Sequence, residues 1–145
     1  MQLSYVVFAL IIKEITMAKI KSYTDLQQSK KLAEILPLET ADMHHFIHEV
    51  DTVGFGYEKN AEEFYSKIKF EYIPCWSLAA LLNILHSKVR DIPSLSGGGY
   101  KDGKYISDWC LDYEFENGDY QKTFADNPID ACVAMVEKLK ELNLL

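Results

Sequence analysis

The chain has 145 residues, 48% apolar and 26% charged, with seven Gly and four Pro. That is the composition of one globular domain; it excludes a disordered chain, and no metal or disulfide is needed to fold one of this length. The net charge is −7, and residues 101–130 supply −5 of it, with eight acids against Lys101, Lys104 and Lys122, a field that disfavours nucleic acid and anionic membranes as direct partners.

The first feature along the chain is the apolar run Leu3 to Ile12, whose ten residues are half of the ~20 a membrane-spanning helix requires. Only Met1 and Gln2 precede it and no Ala-x-Ala pattern follows, so a secretory signal does not fit. A buried extra strand or helix turn, a weak membrane anchor, and sequence upstream of a start at Met17 stay open. Residues 1–16 are read as an N-terminal extension and 17–145 as a single domain, with no membrane partner expected.

A helix is expected to begin at Thr24, with Gln27 completing a capping box, to bury Leu26, Leu32, Ala33 and Leu36, and to stop at Pro37. Thr40 to about Val50 suits a second short helix capped by Thr40. From Asp51 to Ile73 the pattern is mixed. Gly54-Phe55-Gly56 has the look of a turn, and Ala61 to Phe70 fits helix and strand equally. Ser77 then caps a helix in which Leu78, Leu81, Leu82 and Leu85 recur at i, i+3, i+4 and i+7.

Asp102-Gly103 and Asn117-Gly118 are residue pairs that favour two-residue hairpin turns. They predict a three-stranded antiparallel meander over about 94–100, 104–116 and 119–125. The middle strand places Tyr105, Trp109, Leu111, Tyr113 and Phe115 on a core face, with Phe115 opposite Tyr120 and Leu111 opposite Phe124. Asp108, Cys110, Asp112, Glu114, Glu116 and Gln121 fall on a water-facing acidic side. The last helix is capped by Asn127 with Pro128 at its first position, and Ile129, Cys132, Val133, Val136 and Leu139 line its apolar side. The expected architecture is α+β: the meander packed on one face by three or more helices near 25–36, 78–87 and 128–142, in two layers.

Few residues suggest chemistry. On a helix His44 and His48 would share a face, with Glu49 or Asp51 within reach, which is the one candidate metal pair. The residue after His44 is His45, so the metalloprotease Glu is missing. Gly98 followed by Gly103-Lys104 approaches a P-loop, but Tyr105 replaces the Mg²⁺-binding hydroxyl and a strand follows where a helix is needed. Asp112 and Glu114 are paired carboxylates on a wet face, without the burial that acid–base work requires. No Gly-x-Ser-x-Gly elbow is present. Cys75, Cys110 and Cys132 are widely spaced and odd in number, which points to a reducing compartment. Seven of the nine tyrosines lie between Tyr57 and Tyr120, suited either to a sheet–helix core or to a protein interface.

At Leu36 to Met43, Pro74 to Leu82 and Asn127 to Cys132 the chain resembles a group of short uncharacterised proteins of phages and mobile elements of gut bacteria. The resemblance spans Met17 to Leu145, while residues 1–16 and Gly54 to Tyr72 are peculiar to this chain. It rests on helix starts and core stripes, carries over no site residue, and implies a small cytoplasmic accessory protein in a bacterial host. The expected function is therefore a non-enzymatic interaction protein without a cofactor. Its partner would be a protein with a basic surface, met through Asp112, Glu114 and Glu116. A metal-assisted hydrolase using His44 and His48, and a purely structural domain, are the two alternatives.

Overall fold

The computed structural model describes residues 21–87, 93–115 and 118–145. The run Leu3 to Ile12, the start at Met17, Glu116 and Asn117 lie outside them. In chain order come helix α1 (Leu26–Ala33), a 3-10 turn (Leu38–Thr40), strands β1 (Met43–His48) and β2 (Val50–Phe55), and helix α2 (Lys59–Lys67). Strand β3 (Glu71–Cys75), helix α3 (Leu78–His86), strands β4 (Ser94–Ser96), β5 (Gly99–Lys101), β6 (Lys104–Ile106), β7 (Trp109–Glu114) and β8 (Tyr120–Ala125), and helix α4 (Pro128–Glu141) complete the order. The fold is α+β, as expected. Strands β2-β1-β3 form one antiparallel sheet, β4-β7-β8 a second, and β5-β6 a two-stranded hairpin.

The helix starts follow their caps. Ser77 accepts from the Ala80 N–H and Asn127 from the Asp130 N–H, as anticipated. The cap of α1 is one residue later than expected. Asp25 rather than Thr24 accepts from the Gln28 N–H, and the Gln28 side chain returns the bond to the Asp25 N–H. Thr24 is fully buried instead, in a polar cluster described below.

One core joins α1, α3, α4 and the inner face of β7. Leu32, Leu81, Leu85, Leu111, Tyr113, Ile129, Met135, Val136 and Leu139 are all fully buried in it, together with Trp76 and Cys132. Buried polar groups there are paired. The Tyr113 hydroxyl donates to the Leu85 carbonyl (2.8 Å) and the Trp76 indole to Thr40 Oγ1 (2.9 Å).

Residues 43–48 are a strand, and the short helix expected from Thr40 to Val50 does not form. Thr40 ends its own 3-10 turn, donating to the Pro37 carbonyl (2.6 Å), and so cannot cap a new helix. Beyond it the sequence alternates. Met43, His45 and Ile47 share the face turned to α1, where His45 meets Ser29. On the other face His44 meets Tyr72 of β3, Phe46 meets Tyr65 of α2, and His48 stacks on Phe70 between the two. The undecided stretch 51–73 becomes β2, α2 and β3, and α1 and α2 pack on opposite faces of the first sheet through Ser29 and Tyr65.

The meander pairs in the expected order with a hairpin inserted. The long middle strand breaks at Ser107-Asp108, so that β6 pairs with β5 and β7 with β4 and β8. Asp102 and Gly103 (φ 50° and 77°) make the two-residue turn of that hairpin. The second turn is one residue longer than expected. Phe115 donates to the Asp119 carbonyl (2.8 Å), and the Gly118 N–H returns to Phe115 (2.9 Å) with Gly118 at φ 90°. Glu114 therefore pairs with Tyr120, and Cys110 with Phe124. A one-residue change of register moves every side chain of a strand to the other face. Tyr120 is accordingly 64% exposed rather than core, and Trp109 is half-buried.

Candidate functional site

The three successive histidines of β1 part ways. His44 and His48 share the α2-side face, but four strand residues set their Cα atoms roughly 13 Å apart, against about 6 Å on the expected helix. His44 Nδ1 lies 2.6 Å from the Gly56 carbonyl and its ring rests against Gly54, where a Cβ would come within 2.7 Å of it. His48 stacks on Phe70, with ring centres 4.2 Å apart. The helical premise of a shared metal site is thus overturned. Among the described residues no group of three or more His, Cys, Asp or Glu side chains is placed to hold a metal ion.

His45 is 2% exposed and sits at the centre of a buried polar cluster. Its Nδ1 faces both Asp51 oxygens (3.0 and 3.1 Å), and its Nε2 faces the Thr24 carbonyl (3.0 Å) and the Ser29 hydroxyl (3.1 Å). Thr24 Oγ1 lies 2.7 Å from Ser29 Oγ and accepts the Trp76 N–H (3.1 Å), while the Cys75 thiol approaches the Thr24 carbonyl (3.4 Å). The connectivity Asp51–His45–Ser29 is that of a nucleophile relay, which sequence motifs did not reveal because its members come from β2, β1 and α1. It cannot act as one. A nucleophile must meet its substrate, and Ser29 and Thr24 are fully buried. The cluster is a lock that ties the start of α1 to three strands.

None of the thiols is activated. Burial pushes Cys132 up to about 12 and raises Cys110, whose neighbour Asp112 adds to the effect. Burial also raises Cys75, outweighing the hydrogen bonds from Thr24 and Ser29. An open cleft of about 540 Å³ beside α3 is lined mainly by Ile35, Leu36, Pro37, Ile84 and Leu145, with Lys140 its one titratable side chain. It has no acid–base pair.

The outer face of the second sheet differs from the acidic surface expected. Period-two alternation puts Cys110, Asp112 and Glu114 of β7 beside Phe124, Lys122 and Tyr120 of β8. Asp112 pairs with Lys122 (3.4 Å). Cys110 is buried beneath Gly99, whose backbone lies so close that a Cβ there would come within 2.9 Å of the sulfur. The β5-β6 hairpin thus rises from this face, carrying Tyr100 and Tyr105, which meet edge to face and are 63% and 57% exposed. Gln121, expected among the acids, belongs by the new register to the inner face. Glu116, the third expected contact, lies outside the described residues.

Among the described residues no helix is long and apolar enough to cross a membrane. Comparison with protein-family models, with curated proteins and with solved structures finds no match for this chain.

Proposed function

We propose that this chain is a non-enzymatic accessory protein that binds another protein through the outer face of its second sheet. The observation that carries this is the Glu114–Tyr120 pairing. It sets an exposed tyrosine opposite the Glu114 carboxylate, where a sequence-based register would have buried it. Tyrosine offers a large, stiff contact surface with a polar tip, and an aromatic face beside carboxylates suits Lys and Arg side chains. The −5 carried by residues 101–130 favours encounter with a basic surface and opposes a phosphate backbone. The resemblance to phage and mobile-element proteins makes a protein of the phage or its bacterial host the expected partner, met in the cytoplasm.

Affinity capture from a bacterial lysate tests this when wild type is run beside an Asp112→Lys/Glu114→Lys/Tyr120→Ala variant, each at low and high salt. A partner held by wild type at low salt, released at high salt and missed by the variant is the expected result. A partner captured equally by the variant, or tight binding of duplex DNA by wild type, would overturn the proposal.

A further inference from the structure

The two edges of the first sheet are built differently. Gly56 donates its backbone N–H to the Asp42 carbonyl (2.6 Å), one step beyond the Met43–Phe55 pair. In an antiparallel ladder this directs the N–H and C=O groups of Val50, Thr52 and Gly54 toward β1, and those of Asp51, Val53 and Phe55 outward. On the opposite edge the outward positions of β3 are Tyr72 and Pro74, followed by Trp76 just past its end. Pro74 has no N–H to offer. Trp76 is occupied by Thr24, donating its N–H to Thr24 Oγ1 (3.1 Å) and accepting the Thr24 N–H (3.0 Å). Proline and a covering segment are the usual ways of closing a sheet edge.

Strand β2 carries no such device. It contains neither Pro nor Lys, and its one charged side chain, Asp51, is turned to His45. No described residue pairs with its outer side. Its ends present Val50 at 67% exposure and Phe55 at 91%.

We infer that β2 pairs with β2 of a second copy of this chain, antiparallel about a two-fold axis at Val53. The strand is complementary to itself in one register. A hydrogen-bonded pair takes an outward-facing residue from each side, so Val53 meets Val53 of the second copy and Asp51 meets Phe55 in both directions. Each Phe55 then shares a face with Val53 of the other copy, and the two Asp51 carboxylates stand about 13 Å apart along the pair. Centring on Thr52 instead would bring those carboxylates within about 7 Å. Centring on Gly54 would leave Asp51 without a partner inside the strand. The assembly is a continuous six-stranded sheet in which each Phe55 ring gains a flank against Val53 of the other copy.

Four measurements on the full chain decide this. Light scattering coupled to gel filtration should give the dimer mass at near-millimolar concentration and a falling mass on dilution. Amide exchange should show the Val53 N–H protected only at the higher concentration. Val53→Pro removes an outward N–H while sparing the ladder to β1, and Phe55→Lys adds a charge at the edge; each should give a monomer with an unchanged circular dichroism spectrum. Val53→Cys should cross-link to dimer under mild oxidation, because the native thiols are buried and a hydrogen-bonded pair lies within disulfide reach. A wild-type monomer at near-millimolar concentration, or a dimer that survives both edge substitutions, would overturn the inference.

Discussion

The two sheets are held in opposite ways. The second rests on a shared apolar core, with Leu111 and Tyr113 of β7 fully buried against α3 and α4. The first has a half-apolar, half-polar footing. One face meets α1 through the His45 cluster, and the other meets α2 through the rings of Phe46, Tyr65, Phe70 and Tyr72, with α2 itself burying no residue completely. Apolar burial is non-directional and tolerates adjustment, whereas a buried polar cluster holds only while every member is paired. Substitutions should therefore act gradedly in the first case and abruptly in the second.

The largest effect is expected at the junction of the two. Trp76 is fully buried, packs in the common core and donates to Thr40, directly after β3. Trp76→Ala should cost about 3–5 kcal/mol in urea unfolding, whereas Trp109→Ala, half-buried at the sheet end, should cost well under half of that. Equal costs would mean that the core is centred elsewhere.

His45→Ala comes next. It leaves the Thr24 carbonyl, the Ser29 hydroxyl and Asp51 without their shared partner, for a loss of about 2–4 kcal/mol. Amide exchange should show the first sheet opening before the helical core. Uniform weakening across both sheets would instead make the molecule one cooperative unit, and the contrast drawn above would fail.

The same contrast explains what was legible in the sequence. Helices α3 and α4 announce themselves because a cap precedes a 3.6-residue apolar stripe, and both caps form as read. The first sheet was hidden because its inward positions are Met43, His45 and Ile47, with a histidine where an apolar residue would have shown the period. Histidines 44, 45 and 48 read equally well at helical spacing. Only partners from Thr24, Ser29 and Asp51, all remote or weakly marked, make His45 a core residue. On the second sheet the turn at Gly118 was visible but its length was not. That single residue moved both Tyr120 and Phe124 from the inner to the outer face and changed the expected acidic surface into a mixed aromatic and acidic one. Short-range signals locate turns; long-range register depends on how the closing pair bonds.

A smaller effect tests the aromatic side of the first sheet. Gly54 pairs with His44, whose ring occupies the space a Cβ would need. Gly54→Ala should displace that ring from the Gly56 carbonyl and cost about 1 kcal/mol, visible as a changed His44 ring resonance and a lower melting temperature. An unchanged His44 signal would show that the ring is not held there.

The smallest effect concerns the polar tie between the starts of α1 and α4. Lys21 donates to Asp130 (2.7 Å) and Asp25 (3.0 Å), and Gln28 and Asn127 also donate to Asp130. Burial works against charge at all three ionised groups, yet these bonds outweigh it. The Gln28 backbone N–H, followed by Lys21, holds the Asp25 carboxyl below its usual 3.8. The bonds from Lys21, Gln28 and Asn127 hold Asp130 below the same value, and the two carboxylates hold the Lys21 ammonium above 10.5. For the carboxyls the stabilisation is present above pH 3.8 and is lost as the pH falls through their lowered values. For Lys21 it is present below pH 10.5 and is lost as the pH rises through its raised value. Because Asp25 and Asp130 are 53% and 36% exposed, solvent screening limits the tie to under about 1 kcal/mol. Melting temperatures of wild type and Lys21→Met should therefore differ near neutrality and converge at both acid and alkaline extremes. A constant gap across the range would assign the contribution of Lys21 to its methylene chain packing against the helices, and leave the two helix starts joined by Gln28 alone.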